Sequence, residues 1–91
     1  MSDYRIAFPD FPASDLPLLP EGFVDRSWRN DACPCFVDVE FGLELWIDFA
    51  DVNKREFPDL KRFSLCSELG APIYESDDWA DMLDAIKRAR Q

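Results

Sequence analysis

The chain has 91 residues, 47% of them apolar and 14% aromatic, and its 19 acidic side chains against 10 basic ones give a net charge of −9. That length allows one domain with one modest core, and that composition excludes a disordered tail. A field of this sign repels nucleic acid and anionic membrane surfaces and attracts basic partners, and the sequence holds no run of about 20 apolar residues that would span a bilayer.

Residues 1–20 contain Pro9, Pro12, Pro17 and Pro20, which exclude a helix interior or a central strand. Tyr4, Ile6, Phe8, Phe11, Leu16, Leu18 and Leu19 are too apolar to stay in water. The segment therefore reads as an apolar arm lying extended on a single body formed by residues 21–91. Its start carries no run of the signal-peptide kind. Residues 22–29 alternate as a first strand, with Phe23, Asp25 and Ser27 on one face and Val24, Arg26 and Trp28 on the other. Asn30-Asp31 supplies turn chemistry.

Residues 36–41 and 43–50 alternate on either side of Gly42, which predicts an antiparallel hairpin. Val37, Val39, Phe41, Leu43, Leu45, Ile47 and Phe49 are expected inward, and Phe36, Asp38, Glu40, Glu44, Trp46 and Asp48 outward. A polar loop at 51–61 leads to a strand at 63–69, a turn at Gly70-Ala71-Pro72 and a short strand at Ile73-Tyr74. The basic residues Lys54, Arg55, Lys61 and Arg62 read as balancing nearby carboxylates. Residues 76–90 predict one helix capped by Ser76 or Asp77, with acidic residues early, basic residues late and a stripe of Trp79, Met82, Leu83, Ile86 and Ala89. The fold class is α+β: a mainly antiparallel sheet of three to five strands, one C-terminal helix packed on one face, and a Pro-rich N-terminal arm.

Three cysteines, an odd number, argue for reduced thiols and a cytoplasmic protein rather than a secreted disulfide scaffold. Cys33-Pro34-Cys35 with Cys66 lacks both the spacing and the fourth ligand of a structural zinc site, so no metal and no cofactor are expected. The chain has no histidine, which removes Ser-His and Cys-His nucleophile pairs, and glycines at 22, 42 and 70 alone form no phosphate-cradling loop. An enzyme is not expected.

The residues expected to bind a partner are Asp38, Glu40, Glu44, Trp46, Asp48 and Asp51. Carboxylates spaced along adjacent strands repel one another at a cost in stability, and together they present a negative surface that could stand in for a phosphate backbone, with Trp46 as its central contact. Against this stands a structural role for Trp46, in a small cluster with Phe36 and Cys66 roofed by the arm. The function expected is a non-enzymatic inhibitor or binding protein acting on a basic protein partner, such as a nucleic-acid-handling enzyme or a toxin. Neither direct nucleic-acid binding nor membrane association is expected, and a homodimer is left open. The alternative is an accessory domain that associates through its apolar arm.

Overall fold

The computed structural model describes residues 3–91, so the first two positions of the arm lie outside the described residues. Five strands, β1 (Val24–Asp25), β2 (Cys35–Asp38), β3 (Leu43–Ile47), β4 (Phe63–Ser67) and β5 (Pro72–Ser76), form an antiparallel meander in sequence order. A four-residue helix, α1 (Tyr4–Ala7), lies in the arm, and the C-terminal helix α2 (Trp79–Ala89) packs against β4 and β5. The chain is thus a small α+β fold, as its periodicity predicts.

The strands are shorter at the first edge and longer at the last than the sequence suggests. Only two residues of the 22–29 stretch pair, because Asp25 turns back to accept the Ser27 N–H at 2.9 Å and the Ser27 hydroxyl then serves the Cys35 N–H at 3.2 Å. Past Asp25 the backbone adds the Arg26 N–H donating to the Cys35 carbonyl at 2.8 Å, and side-chain bonds supplement it. The last strand spans five residues rather than the two of Ile73-Tyr74, with a bulge at Leu65/Cys66 taking up the register shift.

Cross-strand register fixes which residues share a face. Asp25, Phe36, Leu45, Leu65 and Tyr74 form one inner row, Ile47, Phe63 and Ser76 a second, and Asp38, Leu43 and Ser67 a third. The β2 residues are therefore reversed relative to the expected phase: Phe36 and Asp38 point inward and Val37 outward. The cause is the connection. Asp38 pairs with Leu43, so four residues, Val39 to Gly42, form the hairpin loop. Gly42 sits there at φ 64°, a conformation that favours glycine. A loop of that length puts even-numbered β2 residues opposite odd-numbered β3 residues. Continuing the odd positions straight through Gly42 assigns every β2 side chain to the wrong face. Val39 and Phe41, expected inside, are consequently exposed in the loop.

Two elements cover the inner face. Over β4 and β5 lies α2, with Met82, Ala85 and Ile86 buried. Leu83 is exposed and Ala85 takes its expected place, because successive helix residues are about 100° apart and Leu83 falls outside the arc centred on Met82, Ile86 and Ala89. The helix is capped by Asp78, whose carboxylate accepts the Ala80 N–H at 2.9 Å, rather than by Ser76 or Asp77. Ser76 instead accepts the Asp78 N–H at 3.0 Å, and Asp77 accepts the Arg62 N–H at 2.9 Å, tethering the 51–62 loop to the helix entrance.

The arm covers the rest. Phe11 is buried against Phe49, with ring centroids 5.0 Å apart, and Tyr4 meets Phe11 edge-on at 5.9 Å and Phe36 at 6.3 Å. The arm is not simply extended, since α1 and a 3-10 turn at Ala13–Asp15 fold it around its prolines. Polar contacts hold it at both ends: the Tyr4 N–H donates to Asp25 Oδ2 at 2.7 Å, and Asp15 Oδ2 accepts the Ala50 N–H at 2.9 Å.

Candidate functional site

With helix and arm both on the inner face, neither crosses the outer one. That face carries two cross-strand rows: Cys35, Trp46, Ser64 and Glu75, and Val24, Val37, Glu44 and Cys66. Cys35 is buried, Trp46, Glu44, Val37, Ser64 and Cys66 are half-buried, and Val24 and Glu75 are exposed. The arm does not roof Trp46. It covers Phe36, which the hairpin register places on the opposite side of the sheet from Trp46 and Cys66.

The six residues expected to bind a partner separate into three groups. Glu44 and Trp46 lie on the outer face, and Asp48, just past the end of β3, lines a groove beside Trp46. Glu40 is exposed in the hairpin loop, and Asp51 caps the 3-10 turn Val52–Lys54 by accepting the Asn53 N–H at 2.9 Å. Asp38 is withdrawn altogether. It is 2% exposed on the inner side and binds Arg90, with Arg90 Nε at 2.8 Å and Nη2 at 2.6 Å from Asp38 Oδ2. The continuous band of carboxylates expected on one face therefore does not form, and a phosphate-like ladder loses its first rung.

The groove beside Trp46 has a volume of about 240 Å³. It is lined by Trp46, Cys33 and Cys66 and by Phe57 and Leu60 from the 51–62 loop, the last two more than half exposed. Asp48 also lines it, and Ser64 and Glu75 continue the row from Trp46. Phe57, Leu60, Ser64 and Glu75 were not identified from the sequence. A polar loop gives no periodic signal for Phe57 and Leu60, and Glu75 belongs to a strand that read as ending before it.

Asp48 is 7% exposed, and Oδ1 accepts the N–H of Phe49 at 2.8 Å. Burial raises its pKa above the ordinary carboxylate range, only partly countered by that N–H and by the nearby Arg55 and Arg62 charges. The two arginines act on the backbone instead. Arg55 Nε donates to the Phe49 carbonyl at 2.7 Å, and Arg62 donates to the carbonyls of Asp48 at 3.2 Å and Asp15 at 2.6 Å. The expectation that these cations balance carboxylates holds for Lys61, which pairs with Asp77 at 3.5 Å, whereas Arg55 and Arg62 satisfy carbonyls where β3 ends.

The thiols are free. Burial, reinforced by neighbouring carboxylates, pushes Cys35 up to about 12 and raises Cys33 further; Cys66 moves in the same direction. The thiolate is the reactive form, so in the folded protein at about pH 8 alkylation should reach Cys66 first and leave Cys33 and Cys35 largely unmodified. All three should react after unfolding. Mass spectrometry of iodoacetamide-treated protein checks this, and rapid native labelling of Cys35 would contradict it. Among the described residues no group of three or more His, Cys, Asp or Glu side chains is placed to hold a metal ion, and no helix is long and apolar enough to cross a membrane.

No protein-family model, curated protein or solved structure matches this chain. The molecule's own surface offers a sheet face free of α2 and the arm, with Trp46 half-buried on it and Glu44 and Glu75 beside it.

Proposed function

We propose that the protein is a non-enzymatic binding protein that docks a basic protein partner on its outer sheet face. One observation carries this reading: Trp46 sits half-buried on a β-face that neither α2 nor the arm covers, flanked by Glu44 and Glu75 and by the exposed side chains of Phe57 and Leu60. An apolar aromatic centre with a polar rim is the usual anatomy of a protein interface. The occupant is basic on grounds of charge complementarity, since the chain carries −9 overall and the carboxylates beside Trp46 have no basic neighbour in their own cross-strand rows. A nucleic-acid-handling enzyme or a toxin would present such a surface, and the protein would act as its inhibitor or immunity partner in the cytoplasm, where its thiols stay reduced.

The test is recovery of a basic protein with the purified chain as bait, in parallel with Glu44→Lys, Trp46→Ala and Asp10→Lys variants. Binding should weaken about tenfold or more for the first two, as expected of a central hot spot. It should change little for the third, which is exposed at the arm, and it should fall as salt rises. Equal losses for Glu44→Lys and Asp10→Lys would leave no specific face.

A further inference from the structure

The groove beside Trp46 has features that its packing role does not require. It is smaller than the roughly 300–1,000 Å³ of sites that enclose small ligands, at about 240 Å³, which suits one long side chain. It is lined by an indole, that of Trp46. Among its lining residues is a carboxylate, Asp48, that is more than nine-tenths buried, uses Oδ1 on its own neighbour's N–H, and forms no ion pair among the described residues. Holding a carboxylate in such a place disfavours its charged form, so it is a cost to the isolated fold.

The cations lining the groove are committed elsewhere. Arg62 lies 4.7 Å over the Phe63 ring and spends its guanidinium on two carbonyls, and Lys61 pairs with Asp77. A second carboxylate, Glu75, closes the row from Trp46 through Ser64, with Ser64 Oγ 3.5 Å from Glu75 Oε1.

Resting on the docking of a basic partner to this face, we propose that the groove receives an arginine side chain of that partner, its guanidinium lying on the Trp46 indole and donating to the free oxygen of Asp48. Arginine fits better than lysine because its planar, weakly hydrated cation stacks on aromatic faces and carries several donors in one plane. Lysine would bring a strongly hydrated point charge to an apolar lining. The apolar side chains of Phe57 and Leu60 match the aliphatic stem of the incoming residue.

The experiment is an NMR titration of the full-length, isotope-labelled chain with N-acetyl-arginine methylamide, with the citrulline and lysine analogues in parallel. The arginine probe should give saturable shifts at the Trp46 indole N–H and at the Phe49 amide that bonds Asp48. The citrulline analogue, of the same shape without charge, should give none, and the lysine analogue should bind more weakly. Asp48→Asn should lower the affinity for arginine about tenfold, the loss of one charge-assisted hydrogen bond. This variant keeps an acceptor for the Phe49 N–H and relieves a buried charge, so it should fold as well as the parent. Asp84→Asn, on the exposed side of α2, should change nothing.

Arginine and citrulline acting alike, lysine binding as tightly as arginine, or Asp48→Asn binding like the parent would each overturn the proposal. If the arginine site fails while Glu44→Lys and Trp46→Ala still weaken capture of a basic partner, the docking face stands and only this pocket falls. If those variants also bind normally, the face itself is wrong.

Discussion

Replacing Arg90 with alanine is expected to destabilise the protein by about 3–5 kcal/mol, a large share of the roughly 5–15 kcal/mol that holds a small domain together. The residue is the C-cap of α2. Here it closes the structure. Its guanidinium binds Asp38 and donates to the Glu21 carbonyl at 2.8 Å, with its carbon 5.0 Å from the Phe23 ring centroid and 5.6 Å from that of Phe41. One side chain thus joins the end of α2 to the approach to β1 and to the β2–β3 loop. The fit is close: a Cβ added at Gly22 would lie 3.2 Å from Arg90 Nη2.

Without Arg90, Asp38 remains on the inner face with the Phe41 N–H, at 3.3 Å, as its hydrogen-bond donor. The expense lies in that stranded carboxylate rather than in the lost attraction itself, because breaking one side of a buried pair leaves a charge uncompensated. Two results follow. Asp38→Asn combined with Arg90→Ala should be more stable than Arg90→Ala alone. Arg90→Lys should recover only part of the loss, since an ammonium reproduces the charge but neither the stacking nor the fork of donors. Urea unfolding checks both, read as a shift in midpoint at constant slope. A loss below about 1 kcal/mol for Arg90→Ala would mean that the pair behaves as an exposed one.

The same ion pair shows where the sequence could not be read. The β3 alternation of Leu43, Leu45 and Ile47 and the helical spacing of Met82, Ile86 and Ala89 each have one strongly apolar face, so strand and helix are legible with their orientation. β2 has apolar residues on both faces, Cys35 and Val37 on one and Phe36 on the other, so its own pattern does not choose a phase. The choice is made by a four-residue loop whose length no residue announces, because Gly42 marks the turn without saying how many residues precede it. Asp38 moved from the expected binding face to the inner one for that reason alone. Trp46, Glu44 and Asp48 kept the expected side because they follow β3, whose phase was legible. The pairing of Asp38 with Arg90 spans 52 positions, a separation at which one acid and one base have no sequence signature.

Phe11→Ala is the second substitution with a large expected effect, about 3–5 kcal/mol for removing a buried phenylalanine ring. The result separates two roles for the arm. Were the arm a detachable segment that associates with other molecules, shortening one of its side chains would leave the stability of the sheet unchanged. The structure gives Phe11 the position of a core residue, 5% exposed, packed on Phe49 and flanked by Tyr4, with Phe8, Leu16 and Leu19 against the same cluster. The inner face needs it. The helix α2 covers β4 and β5, and the arm lays Tyr4 against Phe36 and Phe11 against Phe49. A 91-residue chain has too small a core to lose that layer and remain folded with a comfortable margin. Phe11→Ala should therefore lower the urea midpoint, and a chain lacking residues 1–20 should expose the Phe36–Phe49 side, bind a hydrophobic dye and unfold without a cooperative transition. Ile6 and Leu18, exposed large apolar residues of the arm, serve as controls: Leu18→Ala should leave the stability within about 0.5 kcal/mol of the parent. A truncated chain that unfolds cooperatively at the parent midpoint would return the arm to the role of an association segment and remove the argument that its burial leaves the outer face, with Trp46 on it, as the surface open to a partner.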